Sequence, residues 1–253
     1  MLLQDALGVA LGEMVSLIGA GGKTTTMLRL AKELRDRGCK VLVTRTAKIT
    51  QPTKPHIDRL FLVDELQALV DICDEIAAPV IIGAGRGVNQ EGELQGMPVA
   101  WLDRLNHHAA FDAILVEADS AAERLLAIPT DGEPVIPNSC QATIWIVAIK
   151  VLGKPLSEGW VYHASRAREL LNLPVDATVN QELILQLLQH REGCLKGTPP
   201  GSRRIALINQ ADSQEELAAA EALGEKLQKQ GFAKVVITSY VGGAASVIQG
   251  GDR

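Results

Sequence analysis

The sequence predicts an α/β fold in three layers, a mostly parallel sheet between helices with a small helical insertion. Three observations lead there. Short apolar runs alternate with longer amphipathic stretches along most of the chain, which is the pattern of β-α-β units. Apolar residues make up 47% of the 253 residues but aromatics only 3%, so the core has to be built from Val, Ile, Leu and Ala in buried strands. A glycine-rich segment, Gly19-Ala20-Gly21-Gly22-Lys23-Thr24-Thr25-Thr26, separates the first apolar run from the first long helical pattern.

Taken in order, Met14–Ile18 reads as the first strand. Thr24–Arg37 follows with Leu28, Leu30, Ala31 and Leu34 at helical spacing and Gly38 as its stop. Lys40–Thr44 is a second strand, and after the Pro-containing loop Gln51–Pro55 come a short strand at Leu60–Val63, an acidic helix at Asp64–Ile76 and a strand at Pro79–Ile82. Pro98–His108 has helical character, and Ala113–Glu117 is an aliphatic strand that ends in acidic residues. Ser120–Pro137 is rich in turn formers and reads as an ordered surface loop. Thr143–Ile149 is another strand. Residues 150–202 carry two helical patterns, Ala164–Leu171 and Gln181–His190, and read as an insertion within one domain spanning 1–253. Arg204–Ile208, Gln214–Gln230 and Lys234–Thr238 give a strand, an amphipathic helix and a last strand, while Gly242–Arg253 shows no regular pattern.

A formal net charge of −5 argues against nucleic acid or an anionic membrane as the main partner, because both require a basic face. Cys39, Cys73, Cys140 and Cys194 are widely spaced without a C-x-x-C pair, which points to reduced thiols and not to a disulfide framework or a zinc site. The first fourteen residues carry Asp5 and Glu13 and lack a basic leader, and no stretch approaches ~18 uninterrupted apolar residues. A soluble, cytoplasmic protein is expected. No two histidines stand at a spacing that would share a metal.

Gly19 to Thr25 read as a nucleotide-binding phosphate loop. Glycines let backbone N–H groups converge on phosphates, the lysine reaches the β and γ oxygens, and the hydroxyl after it ligates magnesium. The helix that follows adds its positive N-terminal end. A full G-x-x-x-x-G-K-[ST] motif requires glycine at position 17, where this chain has Leu17. The loop is therefore the short G-x-x-G-K-T-T form, with Lys23 as the catalytic cation and Thr24 as the metal hydroxyl.

A phosphate-loop enzyme also needs a carboxylate at the end of a second strand to hold magnesium. Val116-Glu117-Ala118-Asp119 has that form, and residues two apart lie on one side of an extended chain. Glu117 is the first candidate and Asp119 the second, one of them being expected to cap the next turn. Thr44, Thr46 and Lys48, after the second strand, are either candidates for the γ-phosphate or a second substrate or part of a polar loop with exposed basic side chains. Gly83-Ala84-Gly85-Arg86-Gly87 is either a tight turn or a ligand-admitting loop with Arg86 as an anion clamp.

Asn209-Gln210-Ala211-Asp212 follows a strand, and a later strand ends in Thr238-Ser239. Guanine-binding proteins read the base with N-[KT]-x-D in this position, the aspartate accepting from the ring N–H and the exocyclic amine. Asn209 and Asp212 fit, with Gln210 in place of the lysine. Asp212 is equally placed to cap the helix after it, so both ATP and GTP stay open.

With these residues in view the chain resembles the YqeC family, bacterial accessory proteins linked to selenium-dependent molybdenum hydroxylases. The carrying segments are GAGGKTTT at 19–26, VTRTAKI at 43–49, VEAD at 116–119, EPVIP at 133–137, LGKPL at 152–156 and LINQAD at 207–212. The resemblance implies a P-loop NTPase-like fold and a nucleotide-dependent role in selenium and molybdenum cofactor maturation, with a metalloenzyme or one of its maturation factors as protein partner. The short loop is also similar to that of the Mur ligases. Magnesium-dependent binding and hydrolysis of ATP or GTP is the leading expectation. An ATP-dependent ligase or kinase, or a non-hydrolysing nucleotide-binding scaffold, would use the same Lys23, Thr24 and Glu117.

Overall fold

In the computed structural model, residues 1–47, 57–87, 95–121, 123–239 and 245–248 are described, the last four as backbone alone. The chain runs α1 (Leu3–Leu7), β1 (Glu13–Gly19), α2 (Lys23–Asp36), β2 (Lys40–Arg45), β3 (Arg59–Leu62), α3 (Leu66–Glu75), β4 (Val80–Gly85), α4 (Val99–His108) and β5 (Ala113–Glu117). It continues with β6 (Leu126–Ala127), β7 (Ala142–Ala148), a 3-10 turn (Ile149–Val151), β8 (Val161–Tyr162), α5 (Ala164–Leu171), α6 (Gln181–Gln189), β9 (Arg203–Asn209), α7 (Gln214–Gln228), β10 (Lys234–Thr238) and β11 (Ala245–Ile248).

Nine strands form one sheet in the order β11-β10-β9-β7-β1-β5-β2-β4-β3. All its pairings are parallel except that of β11 with β10. The central strands are buried on both faces, as a parallel sheet covered by crossover helices must be. Alternation then divides the core. Val15 and Leu17 of β1 pack with α1 and α2 on one side, while Met14 and Ile18 point to the other. On that second side α3 and α4 cover the β5-β2-β4 half, and α5, α6 and α7 cover the β7-β9-β10 half around the fully buried Trp145. This is the three-layer α/β fold that the periodicity predicts.

Four expectations are corrected. Gly83, Ala84 and Gly85 are not a turn but the end of β4, held there by pairing with Val43 and Thr44 of β2. The turn-rich 120–137 segment contains β6, which pairs with β8 in a separate two-stranded sheet. Residues 245–248, read as patternless, form an antiparallel edge strand. Ser213, not Asp212, caps α7, through a capping box with Glu216. All four cysteines are free and buried. Among the described residues no helix is long and apolar enough to cross a membrane.

Candidate functional site

The phosphate loop leaves β1 at its C-terminal end, between β5 and β7, and enters α2. Its turn depends on glycine. Gly19 has φ +92°, and a Cβ there would strike the carbonyl of Ile146; Gly22 has φ +133°, and a Cβ there would strike the Asn209 amide. Only glycine combines that backbone with such close approach. The Ala20 N–H donates to Ile146 O at 2.9 Å and the Gly19 N–H to Asp119 Oδ2 at 2.7 Å. The amides from Gly21 to Thr25, at the positive end of the fourteen-residue α2, are left as the loop's donors to an anion. Thr25 itself is exposed.

Lys23 is buried. Its ammonium donates to Gly19 O and stands 2.9 Å from Asp119 Oδ1. Thr24 Oγ1 donates to Glu117 Oε2 at 3.0 Å, and the Arg45 guanidinium lies 3.1 Å from the same carboxylate oxygen and 3.1 Å from Thr24 Oγ1. Glu117 thus faces the hydroxyl and Asp119 the lysine. Neither carboxylate caps the following turn; the Ser120 N–H donates to Glu133 Oε2 at 2.9 Å.

A hydroxyl and carboxylates are hard oxygen donors of the kind magnesium takes. A guanidinium already drawn to the pair formed by Thr24 and Glu117 marks it as a place of cation affinity. By charge and by donor type these residues fit the ion.

Burial pushes the Asp119 carboxyl up to about 6, although Lys23 and the Gly19 N–H pull it down. An acid raised above its ordinary 3.8 adds stability that is complete below that value and is lost as pH rises through about 6. Relative to an Asp119→Asn variant, the wild type is therefore expected to lose stability between pH 4 and pH 7 in denaturant unfolding. A difference that stays flat or grows over that range would remove the raised carboxyl.

The remaining sequence candidates divide. Thr44 is buried and donates to Ala84 O at 2.8 Å, and Thr46 donates to Val135 O at 2.7 Å. Both hydroxyls tie strands and loops together. Arg86 stacks 5.6 Å over the Trp101 ring, and Lys48 lies outside the described residues. Asn209 donates to Gly21 O at 2.7 Å and accepts from Thr238 at 2.9 Å, so it braces the phosphate loop against the end of β10.

Asp212 accepts from Ser239 Oγ at 2.6 Å and from Lys150 Nζ at 2.5 Å. The Lys150 hydrogen bond, followed by that from Ser239, holds the carboxyl below the ordinary range, ionised and able only to accept.

Arg45 and Lys150 are the two residues at this edge that sequence reasoning passes over. Arg45 is the register partner of Glu117 across β2 and β5. Lys150 follows β7, whose pairing with β9 sets Ala148 beside Asn209. Both placements come from strand register, which no local motif records.

The family model described as YqeC protein matches residues 15–165, more than half the chain. That span begins in β1 and includes the phosphate loop, Arg45, Glu117, Asp119 and Lys150. The chain is also 30% identical over 216 residues to the uncharacterized protein YqeC of Escherichia coli (strain K12), covering 85% of this chain and 83% of that protein. A match of this length, running through the loop and both strand ends that build the site, places the chain in the YqeC family.

Proposed function

We propose that this protein binds a magnesium–nucleoside triphosphate at the β1–α2 loop and hydrolyses it, as an accessory protein in selenium and molybdenum cofactor maturation of hydroxylases. The observation that carries the nucleotide reading is the convergence of Lys23, Thr24, Glu117 and Asp119 on one loop from two adjacent strands. The accessory role rests on the family resemblance alone. Loop amides and Lys23 bind and orient the phosphates. Thr24 and Glu117 hold the metal, which when bound neutralises charge developing on the phosphate oxygens. For Lys23 to reach a phosphate it leaves Gly19 O, and Asp119 stays behind it to fix its direction.

Guanine is the base that the edge favours. Lys150 donates to one oxygen of Asp212 and Ser239 to the other, which keeps the carboxylate ionised. An ionised acceptor suits the paired N–H donors of guanine and opposes the acceptor nitrogen of adenine. Asp212→Asn is expected to weaken GTP by roughly 10- to 100-fold, the range for a lost charged hydrogen bond. ATP affinity should stay within about twofold. Equal losses for both nucleotides in a binding titration would leave Asp212 with a structural role only.

A further inference from the structure

A cleft opens beside the metal pair, on the side away from Asn209 and Asp212. It is floored by the ends of β2 and β4 and walled by α2 and the edge strand β3. It encloses about 70 Å³ and opens to solvent, which is room for part of a small molecule and not for a folded partner. The hollow follows from register. Leu60 and Leu62 of β3 lie opposite Gly83 and Gly85 of β4; Ile57 and Leu60 close over Gly83, while Gly85 leaves room in front of Leu62. Leu60 and Leu62 remain 39% and 47% exposed, large apolar side chains left in water at the edge of a site.

The lining is apolar along its length, with Met27, Leu28 and Val43 on the inner wall. Its polar side chains are those of Thr24, Thr44, Arg45 and Gln95. Thr44 has already given its hydroxyl proton to Ala84 O. Among the described residues Arg45 is the single charged one lining the cleft, and it shares its guanidinium with Thr24 and Glu117, the pair assigned to magnesium. A divalent ion and a guanidinium compete for one carboxylate. When the metal takes those oxygens, Arg45 loses its partner and needs another anion within reach.

We propose that this cleft is the second-ligand site, and that it takes a small organic anion whose apolar body lies along Leu60, Leu62 and Val43 and whose carboxylate or phosphate pairs with Arg45. The freeing of Arg45 and the role of the site rest on the nucleotide reading above; the apolar cleft itself does not. By linkage, metal-nucleotide and organic anion each tighten the other's binding, because each relieves the competition at Glu117.

The test uses the full chain with anilinonaphthalene sulfonate as the anionic probe and phenylnaphthylamine as its neutral counterpart, both read by fluorescence. Gly85→Leu fills the cleft: a Cβ at Gly85 meets only contacts at 3.6 Å, from Gln95 O and Leu62. It is expected to weaken both probes at least about tenfold. Arg45→Gln is expected to weaken the sulfonate roughly tenfold and the neutral probe not at all. Should Gly85→Leu fail to fold, Leu62→Asp at the exposed wall serves instead and is expected to repel the sulfonate selectively.

Sulfonate affinity unchanged in the cleft variants would overturn the proposal, as would an Arg45→Gln variant that binds the sulfonate as the wild type does. Titration of wild type with magnesium–GTP runs in parallel. Loss of nucleotide binding there with probe binding intact would refute the nucleotide reading and leave the cleft assignment standing.

Discussion

Lys23→Ala is expected to lower triphosphate affinity by at least about 100-fold, which puts binding beyond the reach of ordinary titration. Two charge-assisted hydrogen bonds to phosphate at about 1.5–3 kcal/mol each set that scale. The ammonium is buried and already oriented by Gly19 O and Asp119, so its alignment costs the protein little when the ligand arrives. The variant also strands Asp119. That carboxyl is already pushed up to about 6 by burial, and without Lys23 it takes up a proton in preference to remaining a lone buried charge. Folding is therefore retained while binding is lost, and circular dichroism with calorimetry separates the two. A Lys23→Ala protein with wild-type affinity would remove the phosphate site from this loop.

Glu117→Gln should have the second largest effect, on turnover more than on binding. The carboxylate accepts from Thr24 and holds Arg45; the amide keeps the size but loses the charge that a divalent ion requires. A metal contribution of several kcal/mol to transition-state charge corresponds to roughly a 100-fold or greater fall in kcat. The loop amides and Lys23 remain, so nucleotide still binds, with less dependence on magnesium. Phosphate-release rates measured over a magnesium series check this. A variant whose rate and magnesium dependence match the wild type would place the metal elsewhere.

The parts of this protein that sequence reading reaches are those encoded within a few consecutive residues. The loop from Gly19 to Thr25 combines glycine backbone, lysine and hydroxyl in one segment, and Val116-Glu117-Ala118-Asp119 writes a strand and its acidic end together. Arg45 and Lys150 were out of reach for a physical reason. Arg45 sits between two threonines that attract attention as hydroxyl donors, and alternation along β2 sends its side chain to a different face from theirs. That this face meets Glu117 follows from the β2–β5 register, a property of the folded sheet. Lys150 likewise lies 62 residues from the Asp212 it serves.

The turn expected at Gly83–Gly85 did not form because glycine's local preference for turns is weaker than a ladder with β2 on one side and β3 on the other. Gly85 then leaves room in the cleft in front of Leu62. α1 escaped notice because five residues are too few to display a helical period. The edge strand Ala245–Ile248 is held by pairing with β10, which composition does not record.

Every role proposed for this protein depends on the β1–α2 loop being a magnesium–triphosphate site. Calorimetric titration of the wild-type chain with GTP and with ATP, each with and without magnesium, tests it directly. The site described here predicts one nucleotide per chain, tighter binding in magnesium than without it, and GTP preferred over ATP. Absence of saturable binding for both nucleotides in magnesium would contradict it.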